Sequence, residues 1–166
     1  MPLIDALLPE FDREMGLTRR ALERVPDSQF EWRPHPTSVT LGRLAEHLTE
    51  MPQWATITMT LSKFEMTKDR APDYVRPATR AAALAQFDSY LKTGRGHVAG
   101  KTDGEFLATW TLTAAGKEVF TMPKIAVMRN FVLNHMIHHR GQLTVYLRML
   151  GIPVPSTYGP SGDEQS

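Results

Sequence analysis

The chain has 166 residues, 42% hydrophobic and 22% charged, with 19 Lys and Arg against 18 Asp and Glu. That length suits one domain over residues 1–166 with its own hydrophobic core, and a net charge of +1 gives no basic footprint for a nucleic-acid partner. Zero cysteines exclude disulfides, thiolate zinc sites, iron–sulfur clusters and a cysteine nucleophile, so any metal must be held by nitrogen and oxygen. The opening residues carry Asp5 in a short apolar run and no basic start, unlike a secretory signal, and no apolar stretch approaches membrane-spanning length. A cytoplasmic protein without a membrane partner is the expectation.

Leu3 to Val25 places apolar residues at Leu3/Ile4, Leu7/Leu8, Phe11, Met15 and Leu22, helical spacing closed by Pro26-Asp27. Pro34 and Pro36 keep the following aromatic loop out of a regular helix. Thr40 is an N-cap candidate for a second helix, whose stripe runs through Leu41, Leu44, His47/Leu48, Met51 and Trp54/Ala55 to about Lys63. Pro52 inside it predicts a kink near Glu50. Phe64 to Pro77 reads as polar and irregular. Thr79 to about Val98 is an alanine-rich third helix facing inward through Leu84, Phe87 and Tyr90/Leu91, with an end weakened by Gly94 and Gly96. Thr109 to Met122 alternates around Ala114-Ala115-Gly116-Lys117, which predicts a small hairpin. Pro123 opens the fourth helix, Gly151 and Pro153 stop it, and residues 152–166 form a Pro/Gly-rich tail. The expected fold class is all-α: a four-helix bundle with a small hairpin or irregular insertion before the last helix.

His135, His138 and His139 fall within five residues of the last helix, three of the six histidines of the chain. Residues four apart on a helix differ by about 40° and lie one turn above each other, so His135 and His139 project from one face. They continue the inward stripe of Met128, Phe131/Val132, Leu143 and Tyr146/Leu147, and His47 sits on the inward stripe of the second helix. Burying imidazoles without partners costs several kcal/mol, which a shared metal ion would offset. Spacing alone leaves two readings open: a three-histidine metal site with an open coordination position, and polar residues scattered through a core. His138 competes with His139, but the stripe continues from His139 to Leu143 and so favours His139. His138, Arg140 and Gln142 are the candidates for a supporting place around the ligands. Arg140 and Arg148 otherwise read as surface or interface charges, with Arg140 in reach of an anion, and the loop of Trp32 and hairpin of Trp110 read as lids on the core. A zincin needs Glu after the first histidine of the pair, where Met136 stands, and no Glu has a histidine three residues later as a di-iron bundle requires. No phosphate loop or nucleophile elbow is present.

Ser38-Val39-Thr40-Leu41-Gly42-Arg43-Leu44-Ala45-Glu46-His47-Leu48, followed much later by His135-Met136-Ile137-His138-His139-Arg140-Gly141-Gln142-Leu143, resembles the DinB/YfiT superfamily, as does the ending from Gly151 to Glu164. The resemblance implies a bundle of up-down-down-up order, usually a homodimer, and a divalent metal, zinc or nickel, on His47, His135 and His139. Some members of that superfamily are S-transferases or isomerases that use a low-molecular-weight thiol, and many have no established reaction.

Two classes of function follow. In the first, a divalent ion held by three neutral histidines activates a small thiol against an electrophilic small-molecule substrate, giving thiol S-transfer or detoxification, or activates water as a hydrolase does. In the second, the metal only orders the bundle of a non-catalytic stress-response protein. No carboxylate, tyrosine or lysine can be placed at the site from the sequence. The alanine-rich third helix, with Ala81, Ala82, Ala83 and Ala85, adds a weak argument for a homodimer.

Overall fold

Caps and apolar stripes set the long elements of this chain. In the computed structural model, which describes residues 1–67 and 74–165, the order is α1 (Leu3–Leu22), α2 (Leu41–Thr60), β1 (Lys63–Met66), α3 (Arg80–Val98), α4 (Asp103–Leu107), β2 (Thr109–Ala114), β3 (Lys117–Pro123), α5 (Lys124–Val127), a π-helical segment (Met128–Asn134) and α6 (His135–Met149). Thr40 and Thr79 begin α2 and α3 by accepting the backbone N–H of Arg43 and Ala82, each at 3.2 Å. Leu7, Phe11 and Met15 of α1, Leu44, Leu48 and Met51 of α2, Phe87 of α3, and Met136, Leu143 and Leu147 of α6 meet in one buried core. α2 packs against both α3 and α6, and α1 against α3 and α6. Among the described residues, no helix is long and apolar enough to cross a membrane.

The α2–α3 contact is close enough to constrain a single residue. A Cβ added at Gly94 would lie 2.5 Å from the carbonyl oxygen of Pro52, a backbone atom that cannot swing away. Gly94 is thus a packing position on α3, not merely a weak point near its end as the sequence suggests. Gly96, two residues on, is exposed, and its Cβ would meet nothing within 4 Å. Gly94→Ala is therefore expected to cost about 1–3 kcal/mol through overpacking, while Gly96→Ala should be neutral or stabilise by up to about 1 kcal/mol. Urea unfolding of the two variants checks this, and the opposite order would remove the need for close approach.

The all-α expectation is corrected by a three-stranded sheet of order β1-β2-β3. β2 and β3 form the expected antiparallel hairpin, turning through Ala115 (φ 50°) and Gly116 (φ 74°), both in the left-handed region that two-residue hairpin turns use. β1 joins parallel to β2, with Lys63 opposite Thr111 and Met66 opposite Ala114. It lies in the stretch read as irregular, because four residues with a single half-buried position, Phe64, carry no clear alternation. Residues 68–73 of that stretch lie outside the described residues. The short α4 is the other addition, and its capping box of Thr102 and Glu105 was there to be read. Trp110, Leu112 and Val127 make a second small core beneath the sheet.

The last helix is not wound uniformly. Met128, Val132 and Met136 are all buried although they are spaced by four, and α-helical winding at 3.6 residues per turn would rotate them progressively off the core. The π-helical turns, with their i→i+5 bonding, widen the winding over this stretch and hold the three on one side.

The tail after Gly151 has no regular element but is tied down. The Tyr158 hydroxyl donates to Glu14 Oε2 of α1 at 2.7 Å, and Glu164 accepts from Arg20 and Arg24, each at 2.6 Å. Asp163 accepts from Arg148 of α6 and, at 2.8 Å, from the Val154 backbone N–H.

Candidate metal site

His47 leaves α2 on the face that packs against the last helix, and His135 and His139 open α6 one turn apart. Their ring atoms converge as the helical spacing predicts. Nε2 of His47 and Nε2 of His135 lie 3.2 Å apart, close to the separation of roughly 3–3.5 Å that two nitrogens take around a zinc ion with bonds of about 2.0–2.1 Å. The His47 and His139 ring centroids are 4.6 Å apart, and those of His135 and His139 are 4.7 Å apart. One ligand atom from each of the three falls within 4.8 Å of the others, and all three rings are half-buried. Two nitrogens are already at ligating separation, and the third, from His139, lies within 4.8 Å of both.

The surroundings fit ligand histidines. An imidazole that holds a metal with one nitrogen usually gives its other N–H to a carboxylate, a carbonyl or water. Here each ring has such a neighbour. Gln142 Oε1 is 2.7 Å from His139 Nδ1, which assigns the proton to Nδ1 and leaves Nε2 as the lone-pair nitrogen. The Phe131 carbonyl hydrogen-bonds the His135 ring. Glu50, one turn beyond His47 on α2, brings Oε2 to 4.0 Å from His47 Nδ1. A donor set of three imidazoles, with Gln142 and the Phe131 carbonyl as acceptors to two of them and the Glu50 carboxylate 4.0 Å from the third, is compatible with a divalent metal.

Glu50 is the residue the sequence reading missed. Its signal is the spacing His47-x-x-Glu50, three apart on one helix and so on neighbouring faces, the same spacing that joins His139 to Gln142. His138 is exposed on the flank of α6, its ring 4.9 Å from that of His139. Arg140 is placed differently from expectation: it is neither a surface charge nor aimed at the histidines. It is 2% exposed and turned toward α1, where its guanidinium meets Glu14 Oε2 at 2.7 Å, the Glu14 carbonyl at 3.1 Å and the Tyr158 hydroxyl at 2.9 Å. One residue along an α-helix turns the side chain by about 100°, enough to carry position 140 from the α2 side to the α1 side.

Burial, then the positive charge His47 and His139 would carry, pushes His135 down to about 4. Burial also lowers His139, against the opposing hydrogen bond of Gln142. Both rings are therefore neutral near pH 7, the state that can ligate. The consequence for stability has a definite sign. In the unfolded chain these histidines titrate near 6.5, so below that pH the unfolded state binds protons that folded His135 does not. Stability of the metal-free protein should be flat above about 6.5 and fall as pH drops from there toward 4. Melting temperatures across this range check it, and a His135→Gln variant should lose part of the slope.

The comparisons with known proteins agree with this fold. The DinB family model matches residues 3–165. An uncharacterized protein of Bacillus subtilis (strain 168), YrdA, is 31% identical over 170 residues, covering 97% of this chain and 91% of that protein. A DinB-like protein of Bacillus cereus ATCC 10987, solved by crystallography, superposes with a TM-score of 0.72 at 23% identity, covering 95% of this chain and 98% of the other. A second DinB-like crystal structure, of YjoA from Bacillus subtilis, gives a TM-score of 0.69 at 18% identity over 91% and 96% of the two chains. With a family match over nearly its whole length and a fold shared with both crystal structures, this chain belongs to the DinB family.

Proposed function

We propose that this protein is a divalent-metal enzyme, using zinc or nickel, that activates a low-molecular-weight thiol for transfer to an electrophilic small molecule. The observation that carries the reading is the set of three half-buried histidines with converging ligand atoms, in a chain with no cysteine of its own. A divalent ion held by three neutral imidazoles keeps its full charge and lowers the pKa of a thiol or water bound beside them. The sulfur nucleophile must then come from a cosubstrate. In the transfer its lone pair forms the new carbon–sulfur bond, the electrophile's leaving group departs with the bonding pair, and the thiol proton passes to solvent.

The side chains supply position. Gln142 fixes the His139 tautomer, the Phe131 carbonyl fixes the His135 ring, and Glu50 faces the outer nitrogen of His47. Because Glu50 sits behind His47, it supports an orienting part rather than that of the base a hydrolase would need. The same reading takes the four long helices as an up-down-down-up bundle, supported by α2 packing against both α3 and α6. It takes the protein as a cytoplasmic homodimer of one domain, supported by the exposed Ala81, Ala82 and Ala85 on α3, although Ala83 is buried.

The test is zinc- or nickel-reconstituted protein with a panel of small thiols and electrophiles. The expected result is loss of free thiol that requires both the metal and His135. Ester or amide cleavage without thiol would favour the hydrolase, and full metal binding without turnover of any kind would favour the non-catalytic reading.

A further inference from the structure

We propose that a seam of half-buried aromatic rings leading away from the histidines is the binding surface for an aromatic group on the electrophile. The inference rests on the metal–thiol reading above and names its acceptor class. Trp54 lies seven residues after His47, two turns along the same face of α2, and Phe131 lies four before His135 on the last helix. The two helices that bring the histidines together therefore also bring these rings together. Phe131 stands 5.6 Å from the His135 ring, centroid to centroid, and 4.9 Å from Trp54 at 82°. Phe64 of β1 continues the seam 5.3 Å from Trp54, and Phe120 of β3 stands 5.6 Å from Phe131. The sheet thus supplies half of this surface, Phe120 from the expected hairpin and Phe64 from the strand that the sequence reading did not expect.

Such rings ordinarily glue a sheet to its helices, and all four do pack against the small core of Trp110, Leu112 and Val127, whose own side chains are almost wholly buried. Phe11, Phe87, Phe106 and Trp110 show that aromatic rings in this chain can be sealed completely. Trp54, Phe64, Phe120 and Phe131 are instead each left partly exposed while meeting edge to face or tilted. A further ring laid against them gains apolar burial and the edge-to-face attraction together, whereas an aliphatic group gains only the first. Any molecule held at the histidines begins one ring contact from Phe131.

The test separates this inference from the metal reading by using two metal-binding probes that differ only beyond the chelating group. Zinc-loaded protein is titrated calorimetrically with acetohydroxamate and with benzohydroxamate. The expected result is binding of both, with benzohydroxamate about tenfold tighter, in keeping with burial of one phenyl group on an aromatic surface. In Trp54→Leu and in Phe131→Leu, which keep an apolar side chain, that ratio should fall at least about threefold. Phe64→Leu, on a strand outside the helical core, should lower it in the same direction. Zinc content and helical circular dichroism confirm that each variant is folded and loaded. Equal affinity for the two probes in the unmodified protein overturns the aromatic subsite and leaves the metal site standing. A preference that persists in all three variants also overturns it, since the seam would not be its source. Failure of both probes to bind removes the open metal position, and the inference with it.

Discussion

Replacing His135 or His139 with alanine is expected to abolish stoichiometric metal binding, one divalent ion per chain, while His47→Ala weakens it strongly and His138→Ala retains most of it. The order follows from position. His135 and His139 come from one helix and keep their mutual geometry without help, at 4.7 Å between ring centroids, while His47 reaches them across the α2–α6 contact. His138 is exposed on the flank of the same helix. Losing a partner that only orients a ligand typically costs about 10–100-fold in metal affinity, so losing a ligand outright should cost more than that. Elemental analysis of the four variants after reconstitution, with affinities by competition against a chelator, checks the order. Metal loss confined to the His138 variant would mean that the helix presents the other pair.

Breaking the buried Arg140–Glu14 pair is expected to be the most destabilising single change outside the hydrophobic core. The two side chains are 3% and 5% exposed and meet at 2.7 Å. Arg140→Ala would leave the Glu14 carboxylate buried with the Tyr158 hydroxyl in place of a full charge partner. The expected loss is about 3–5 kcal/mol, most of it the penalty of an uncompensated buried charge rather than the net worth of the pair. Arg140→Met combined with Glu14→Leu should recover much of it, because removing both charges removes that penalty. Urea unfolding of the single and double variants measures both effects. Zinc content per folded molecule should be unchanged, since Arg140 faces α1 and the histidines face α2. A loss below about 1 kcal/mol would mean that water reaches Glu14.

The legible parts of this molecule were those with a period or a cap. Thr40 announced α2 as its cap, the stripe of Leu84, Phe87 and Leu91 announced α3, Ala115-Gly116 announced the hairpin turn, and the inward stripes placed His47, His135 and His139 on facing helices. Local spacing could do this because a helix converts residue number directly into direction. What escaped depended on partners distant in sequence. β1 is too short to show a pattern, and it exists because β2, some fifty residues on, offers it a free edge. Arg140 read as a surface charge because its counter-charge, Glu14, is 126 residues away. Glu50 was within reach of a reading by spacing alone, since it stands to His47 as Gln142 stands to His139.

The π-helical segment has a consequence for what changes this chain can absorb. Between Pro123, where β3 ends, and His135, where α6 begins, direction is set by the number of residues as well as by their kind. Exposed Arg129 and Asn130 can change identity with little effect on the path of the backbone. Deleting or inserting one residue there would instead turn everything downstream by about 100° relative to the sheet. Either the histidines would swing off His47 or Phe131 would leave the seam. The stretch is therefore permissive to substitution and intolerant of changes in length, and the coupling between aromatic surface and histidine cluster is recorded in its residue count.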